Sequence, residues 1–281
     1  MSQIDSLLHE DRHFAPAASF RAQAVGTAEL YERAAADREG FWAEQARELV
    51  HWHRPFTQVL DWTNPPFAEW FADGELNVAY NCLDRHVEAG NGARVALYWE
   101  GEPGDSRQVT YAELTDEVKR LANVLGDLGI GRGDRVAIYL PMIPEAVAAM
   151  LAVARVGAIH SVVFGGFSAD SLRARIDDAG AKLVITADGG WRKGKVSPLK
   201  PAVDQALADR GSGAQETVEH VLVVKRGDNP VDWAEGRDIW WHEAVPAASA
   251  DHEAQPFPAE NPLFILYTSG TTGKPKGILH T

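Results

Sequence analysis

Cysteine is nearly absent from this sequence: Cys82 stands alone among 281 residues, so no disulfide can form within the chain. An oxidising compartment therefore has nothing to recommend it. The thiol itself reads as a small buried hydrophobe. No apolar run approaches the length needed to cross a bilayer. Asp5, Glu10, Asp11 and Arg12 interrupt the N-terminus, which lacks the basic-then-apolar pattern of a secretory signal, so the expectation is a cytoplasmic protein with no membrane partner. Basic charge is scarce as well, with 27 Lys and Arg against 40 Asp and Glu and a net charge of −13. Such a chain repels nucleic acid, and any anionic ligand needs a local cationic patch. Internal repeats are missing.

What is present suits a globular protein. Hydrophobic residues make up 45% of the chain, enough for a substantial core in one or two domains. Near the end, the apolar run 263–268 empties into Ser269-Gly-Thr-Thr-Gly-Lys-Pro-Lys-Gly277, which reads as a buried strand followed by a phosphate loop. Gly270, Gly273 and Gly277 let backbone N–H groups approach a ligand. Ser269, Thr271 and Thr272 add hydroxyls, and Lys274 and Lys276 add charge. The ordinary P-loop needs four residues between its first glycine and Gly-Lys, with Ser or Thr after the lysine. Here there are two, and Pro275 follows. Residues 277–281 look extended, giving strand, loop, strand. A hairpin connection rich in Gly and Thr is the bland alternative. Thr268 reads either as a loop-positioning residue or as a strand-end hydroxyl bonded locally.

Upstream, the pattern alternates strand and helix. Residues 77–87 suggest a turn and helix. Thr110 heads a helix with Glu113 three residues on, the reciprocal capping pattern, and Leu114, Val118, Leu121, Leu125 and Leu128 form its apolar stripe up to Gly129. Strands are expected at Val136–Leu140, Ser161–Phe164 and Leu183–Ala187. Between them lie one helix begun by Pro144, with Val147, Met150, Leu151 and Ala154 as its stripe, and another capped by Ser168 and ended by Gly180. This spacing implies a mainly parallel sheet flanked by helices, an α/β fold. Ligands collect beyond the carboxyl ends of such strands. Two loops leave those ends, Gly165-Gly166 and Asp188–Pro198. The second carries Arg192, Lys193, Lys195 and Lys200 with no acid between Asp188 and Asp204. On charge alone this is a solvated loop; its placement in so acidic a chain points to an anion. A short helix near Ala202–Ala208, a flexible connector at Arg210–Thr217, a strand at His220–Lys225 and a Trp-rich stretch at Asp232–Val245 complete the pass. His51 and His53 flank Trp52 without a third ligand, so they read as surface or packing residues.

YTSGTTGKPKG at 267–277 resembles the nucleotide-binding signature of the adenylate-forming superfamily, and the flanking ILHT narrows the match. FADGELNVAYNCLDRHV at 71–87, SVVFGGFS at 161–168 and ITADGGWRKGK at 185–195 are similar to the acetyl-CoA synthetase branch in particular. The resemblance runs from about Phe41 to Thr281. It implies part of the large N-terminal domain of an adenylate-forming enzyme, divided as an extension at 1–40, a branch-specific region at 41–130 and an incomplete AMP-binding domain at 131–281. It implies AMP-forming ligation of acetate to CoA at the expense of ATP, with Mg²⁺ at metal ligands the motif does not specify. Propionate or another short acid fits equally, and a non-catalytic nucleotide-binding module is the rival of another class. Thr268, Ser269, Gly270, Thr271, Thr272, Gly273 and Lys274 would meet the phosphates of ATP, with Lys274 also catalytic. Phe164, Gly165 and Gly166 would lie under the CoA adenine, and Arg192 and Lys195 would approach its 3′-phosphate. Lys195 stands where the branch usually has arginine, which keeps the charge and loses the bidentate fork. The adenine-site motifs, the acyl pocket and the C-terminal domain, on which acetyltransferase and deacetylase regulation would act, fall downstream of Thr281, so the expectation is an N-terminal fragment.

Overall fold

The computed structural model describes residues 12–208, 217–268 and 275–281. Two compact units emerge, residues 1–49 and 50–281. The first is helical: α1 (Ala18–Gln23), α2 (Ala28–Ala36) and α3 (Arg38–Leu49). Within it Arg33 pairs with Glu44 at 2.7 Å, and the Asp37 carboxylate accepts the Gly40 N–H at the start of α3.

The second unit begins with two small antiparallel ribbons and a short pairing strand. They comprise β1 (Leu60–Asn64) with β2 (Phe67–Trp70), β3 (Glu75–Leu76), and β4 (Val95–Glu100) with β5 (Ser106–Thr110). The helix expected around residues 77–87 is present with wide π-type turns at Tyr80–Asp84 and Val87–Asn91. Cys82 is exposed there, correcting the buried reading, because the wide turn directs Leu83 and Asp84 inward instead. Next come α4 (Tyr111–Asp127), β6 (Arg135–Tyr139), α5 (Pro144–Arg155), β7 (Ile159–Val162), α6 (Ala169–Ala179) and β8 (Leu183–Ala187). The ribbon β9 (Gly189–Arg192) and β10 (Lys195–Pro198) follows, then α7 (Lys200–Leu207), β11 (His220–Val224), β12 (Asp238–Trp240) and α8 (Trp241–Ala247). The chain finishes with β13 (Phe257–Pro258), β14 (Phe264–Thr268) and β15 (Lys276–His280).

Seven strands form the main sheet in the order β12-β11-β8-β6-β7-β14-β15, parallel throughout except for the antiparallel pair β14–β15. All five residues of β8 are buried, as a parallel strand covered on both faces requires. Helices α4, α5 and α8 pack together as one layer, and α6 packs with α7. The expected cap on α4 is complete: Thr110 Oγ1 accepts the Glu113 N–H while Glu113 accepts the Thr110 N–H at 2.8 Å. Ser168 caps α6, and Gly180 closes it at φ 59°.

Several boundaries and faces differ from expectation. The strand expected at Ser161–Phe164 runs two residues earlier, because Ile159 N–H already bonds the Asp134 carbonyl at 2.7 Å and starts the ladder to β6. On α5 the most buried face is Ala148, Ala149, Ala152 and Val153, whereas Val147, Met150 and Leu151 are half-buried. Small side chains there let two neighbours approach closely, which a stripe of large residues does not reveal. β12 and α8 arise from the Trp-rich stretch in which no element was expected; parallel pairing with β11 and burial of Trp241 hold them. The connector at Arg210–Thr217 lies outside the described residues except for Thr217.

The strand 263–268 is half-buried, not buried, with Leu266 47% exposed and Ile278 opposite it 46% exposed. Among the described residues nothing covers that face of the pair. At the base of the pair, rings stack across three strands. His160 of β7 lies 5.5 Å from Phe264 of β14, which lies 4.5 Å from His280 of β15. Burial pulls the His160 imidazole down from 6.5 to about 4.

That depression makes stability depend on pH with a definite sign. The unfolded chain takes up a proton near pH 6.5 that native His160 refuses until about pH 4, so stability falls as pH drops through this window. The share lost by pH 4 is about 3 kcal/mol. His160→Gln should flatten the urea midpoint between pH 4 and 6.5; equal slopes for the two proteins would reject this assignment.

Candidate functional site

Because β6, β7, β8, β11 and β14 run parallel, the segments that follow them all leave the same edge of the sheet. Phe164-Gly165-Gly166 follows β7, the β9–β10 ribbon follows β8, and residues 269–275 follow β14. The ends of β8 and β14 therefore open on one edge, with β6 and β7 between them.

Residues 188–198, expected as a loop, form a tight antiparallel ribbon with Arg192 directly opposite Lys195. Its turn is Lys193-Gly194, with φ of 54° and 73°. Two consecutive positive values are the two-residue hairpin turn whose twist matches the strands, and Gly194 tolerates it freely. The signal was in the sequence as a two-residue X-Gly turn between short β-compatible segments, but the surrounding glycines made it look irregular. Opposed residues project to the same face, so the fold holds two cations side by side at a cost. Among the described residues no carboxylate pairs with either of them. One acid does reach the turn from far away in sequence, since Glu102 accepts the Gly194 N–H. Lys200 leaves the cluster altogether. It is fully buried at the start of α7 and bonds Asp238 at 2.7 Å and Asp204 at 2.8 Å, with Arg237 closing the network.

The ribbon is anchored by Asp188, which sequence reasoning passed over as the last acid before the basic cluster. Its buried carboxylate accepts the N–H groups of Gly189, Arg226, Gly227 and Asn229 at 2.7–3.1 Å, stitching the end of β8 to the segment after β11.

Phe164 and Phe167 meet edge to face at 5.6 Å and are 56% and 40% exposed, so their rings offer a platform to solvent. Arg192 lies over Phe164 at 5.4 Å from the ring centre. The glycines between the rings sit in close quarters. A Cβ on Gly165 would stand 3.1 Å from the Leu140 carbonyl, and one on Gly166 would collide with the Arg192 guanidinium and the Phe164 ring. Tyr139, buried at the end of β6, donates to the Phe167 carbonyl at 2.7 Å and fixes the turn. Phe164, Gly165, Gly166, Phe167, Arg192 and Lys195 thus form one surface: an edge-to-face aromatic pair beside two cations. This arrangement can hold a planar ring and an anion together.

Thr268 is exposed and faces Lys276 across the β14–β15 pair, closing the base of the segment between them. Ser269, Gly270, Thr271, Thr272, Gly273 and Lys274 lie outside the described residues. Among the described residues no group of three His, Cys, Asp or Glu side chains is placed to hold a metal. An open cavity of about 440 Å³ lies away from this edge, with His51, His53, Tyr80, Asp84 and Arg155 among its lining. Its strongest charges are already matched, Asp84 by both guanidinium nitrogens of Arg155 and Glu88 by the Tyr80 hydroxyl.

The chain matches two family models: "AMP-binding enzyme" over residues 83–281 and "Acetyl-coenzyme A synthetase N-terminus" over residues 27–82. It is similar to acetyl-coenzyme A synthetases of Streptomyces avermitilis (67% identical) and Streptomyces coelicolor (64%), in each case over 99% of this chain and 42% of the relative. The Mycobacterium tuberculosis H37Rv acetyl-coenzyme A synthetase is 62% identical over 95% of this chain and 41% of the relative. The chain therefore spans less than half the length of these relatives.

The role of Asp188 is directly testable. Asp188→Asn removes the charge that gathers four N–H donors while keeping the side chain's shape. Amides in residues 189–198 should exchange with solvent about tenfold faster, with those of β6 unchanged, by hydrogen–deuterium exchange. Uniform acceleration, or none, would show that Asp188 does not specifically hold the ribbon.

Proposed function

The chain belongs to the AMP-binding enzyme family, and on that premise we propose that it forms the N-terminal part of an AMP-forming acetate–CoA ligase. In the proposed reaction an acetate oxygen attacks the α-phosphorus of ATP and pyrophosphate leaves. The CoA sulfur then attacks the carbonyl carbon of the acetyl-adenylate, and AMP leaves. The observation that carries the reading is the common edge: the aromatic platform, the paired cations and the strand entering the glycine-rich segment all open on it.

On this reading residues 269–274, with Thr268 at their base, neutralise the charge that develops as pyrophosphate departs, and Lys274 contributes most directly. Magnesium would travel with the substrate phosphates, in keeping with its preference for phosphate oxygens and water over an all-protein cage. The exposed faces of Phe164 and Phe167, with Gly165 and Gly166 between them, receive the adenine of CoA. Arg192 and Lys195 receive its 3′-phosphate, which relieves the repulsion that the ribbon imposes on them. We place the division of the chain at residues 40 and 130, the protein in the cytoplasm, and any acetyltransferase or deacetylase control on the C-terminal domain of the complete enzyme. No helix among the described residues is long and apolar enough to cross a membrane.

Two substitutions in the full-length enzyme separate the half-reactions. A charge-assisted phosphate contact contributes roughly 1.5–3 kcal/mol, so Arg192→Glu should raise the KM for CoA at least about tenfold. Acetate-dependent pyrophosphate exchange, which needs no CoA, should barely change, and dephospho-CoA should lose most of its sensitivity to the substitution. Equal damage with CoA and dephospho-CoA, or a matching loss of exchange, would overturn the assignment.

Gly166→Ala acts on the same contact through geometry. The new methyl stands where the end of Arg192 and the edge of the Phe164 ring now lie, so it pushes both side chains out of their contact while meeting no atom of the sheet. The KM for CoA should rise about fivefold with the melting temperature unchanged. An unaltered KM would show that Arg192 does not need its place over the ring.

A further inference from the structure

Arg175 lies on α6, between the two halves of the proposed site, and none of the sequence motifs includes it. Its guanidinium carbon is 4.7 Å from the centre of the Phe167 ring and 5.2 Å from that of Tyr267. Phe167 belongs to the aromatic platform, and Tyr267 lies two residues before the glycine-rich segment. The Tyr267 hydroxyl donates to Asp178 at 2.7 Å, one turn further along α6. Burial and this bond to a carboxylate raise the Tyr267 pKa, so the phenol stays protonated and keeps donating. Arg175 is itself oriented by donating to the Ser171 carbonyl at 2.7 Å. The result is a continuous series of contacts, Arg192 to Phe164 to Phe167 to Arg175 to Tyr267, running from the basic ribbon to the strand β14.

The two ends of that series hang on different strands. Phe167 is fixed by the turn after β7 and by Tyr139, whereas Tyr267 is fixed by β14, which pairs with β7 only at Phe264 and Ile265. Beyond Ile265 the backbone ladder between the two strands stops, so the separation of Tyr267 from the platform rests on side chains. A cation between two ring faces supplies that fixed spacing, because the attraction to each ring is strongest with the guanidinium in contact with both. A neutral side chain of equal length fills the space without the attraction.

We infer that Arg175 is a positioning residue that sets the distance between the aromatic platform and the strand entering the phosphate-binding segment. The inference rests on the ligase reading of those two surfaces. Arg175 touches neither substrate; it acts through Phe167 on the CoA side and through Tyr267 on the ATP side. A residue of this kind alters both substrate affinities together while leaving turnover at saturation nearly intact.

The test compares Arg175→Met, which keeps length and apolar stem, with Arg175→Lys, which keeps a cation, in the full-length enzyme. Arg175→Met should raise the KM for ATP in acetate-dependent pyrophosphate exchange and the KM for CoA in the complete reaction, each about fivefold, with kcat within about twofold. Arg175→Lys should restore both to within about twofold of the wild type. Tyr267→Leu, which removes the far ring together with its bond to Asp178 on α6, should reproduce the ATP effect, whereas Tyr267→Phe, which loses only that bond and keeps the ring, should not. The inference is overturned if Arg175→Met moves neither constant or only one, or if Arg175→Lys gives no rescue. Arg192→Glu measured alongside keeps the two failures apart. An unchanged KM for CoA in that variant would sink the ligase reading of the ribbon and this inference with it. A normal Arg192→Glu response with an unresponsive Arg175→Met would sink the Arg175 assignment alone.

Discussion

Strand direction is the constraint on which the rest of this structure depends. Parallel strands cannot be joined by tight turns; each return needs a crossover, and the crossovers here supply the helices on the sheet. The same requirement sends every segment that follows a parallel strand out of one edge. A glycine pair after β7, a basic ribbon after β8 and the end of β14 are more than 20 residues apart in sequence, yet direction alone brings them to one edge. The functional reading follows from that gathering more than from any one motif.

Within the edge, the anchoring groups are not the ones that would meet a ligand. Asp188 spends its charge on four backbone N–H groups, and Tyr139 spends its hydroxyl on the Phe167 carbonyl. Their burial frees Arg192, Lys195 and the two phenylalanines to stay exposed while held in place. The division has a physical logic: a carboxylate withdrawn from water is satisfied by fixed dipoles, while the cations opposite one another on the ribbon stay exposed to water.

A second buried charge performs a comparable task at a distance from the edge. Arg155 closes α5 with a two-pronged bond to Asp84 and a further bond to the His252 carbonyl, while the Asn77 amide donates to both the Arg155 and Gln255 carbonyls. The segment that leads into β13 and β14 is thereby tied to the helix at residues 77–91.

Local rules carried much of the fold. The capping residues Thr110 and Ser168, the terminators Gly129 and Gly180, and the alternation of apolar strand with amphipathic helix from residue 135 onward are short-range signals, and each marks its element. The strands that flank the glycine-rich stretch were legible for the same reason. What the sequence could not disclose depends on who stands next to whom. Lys200 looked like one more cation in a basic run, and only the approach of Asp238 from 38 positions away buries it. Glu102 reached the basic turn from another ribbon, Cys82 turned outward on a widened helical turn, and the Ala148–Ala152 face, not the larger residues, met the core. Arg175 had no motif at all; its place between Phe167 and Tyr267 exists only because α6 brings the ends of two strands together. Propensity and capping act over a few residues and are written in the chain. Burial, charge pairing and the spacing of a site are properties of neighbours, and neighbours are decided by the tertiary fold.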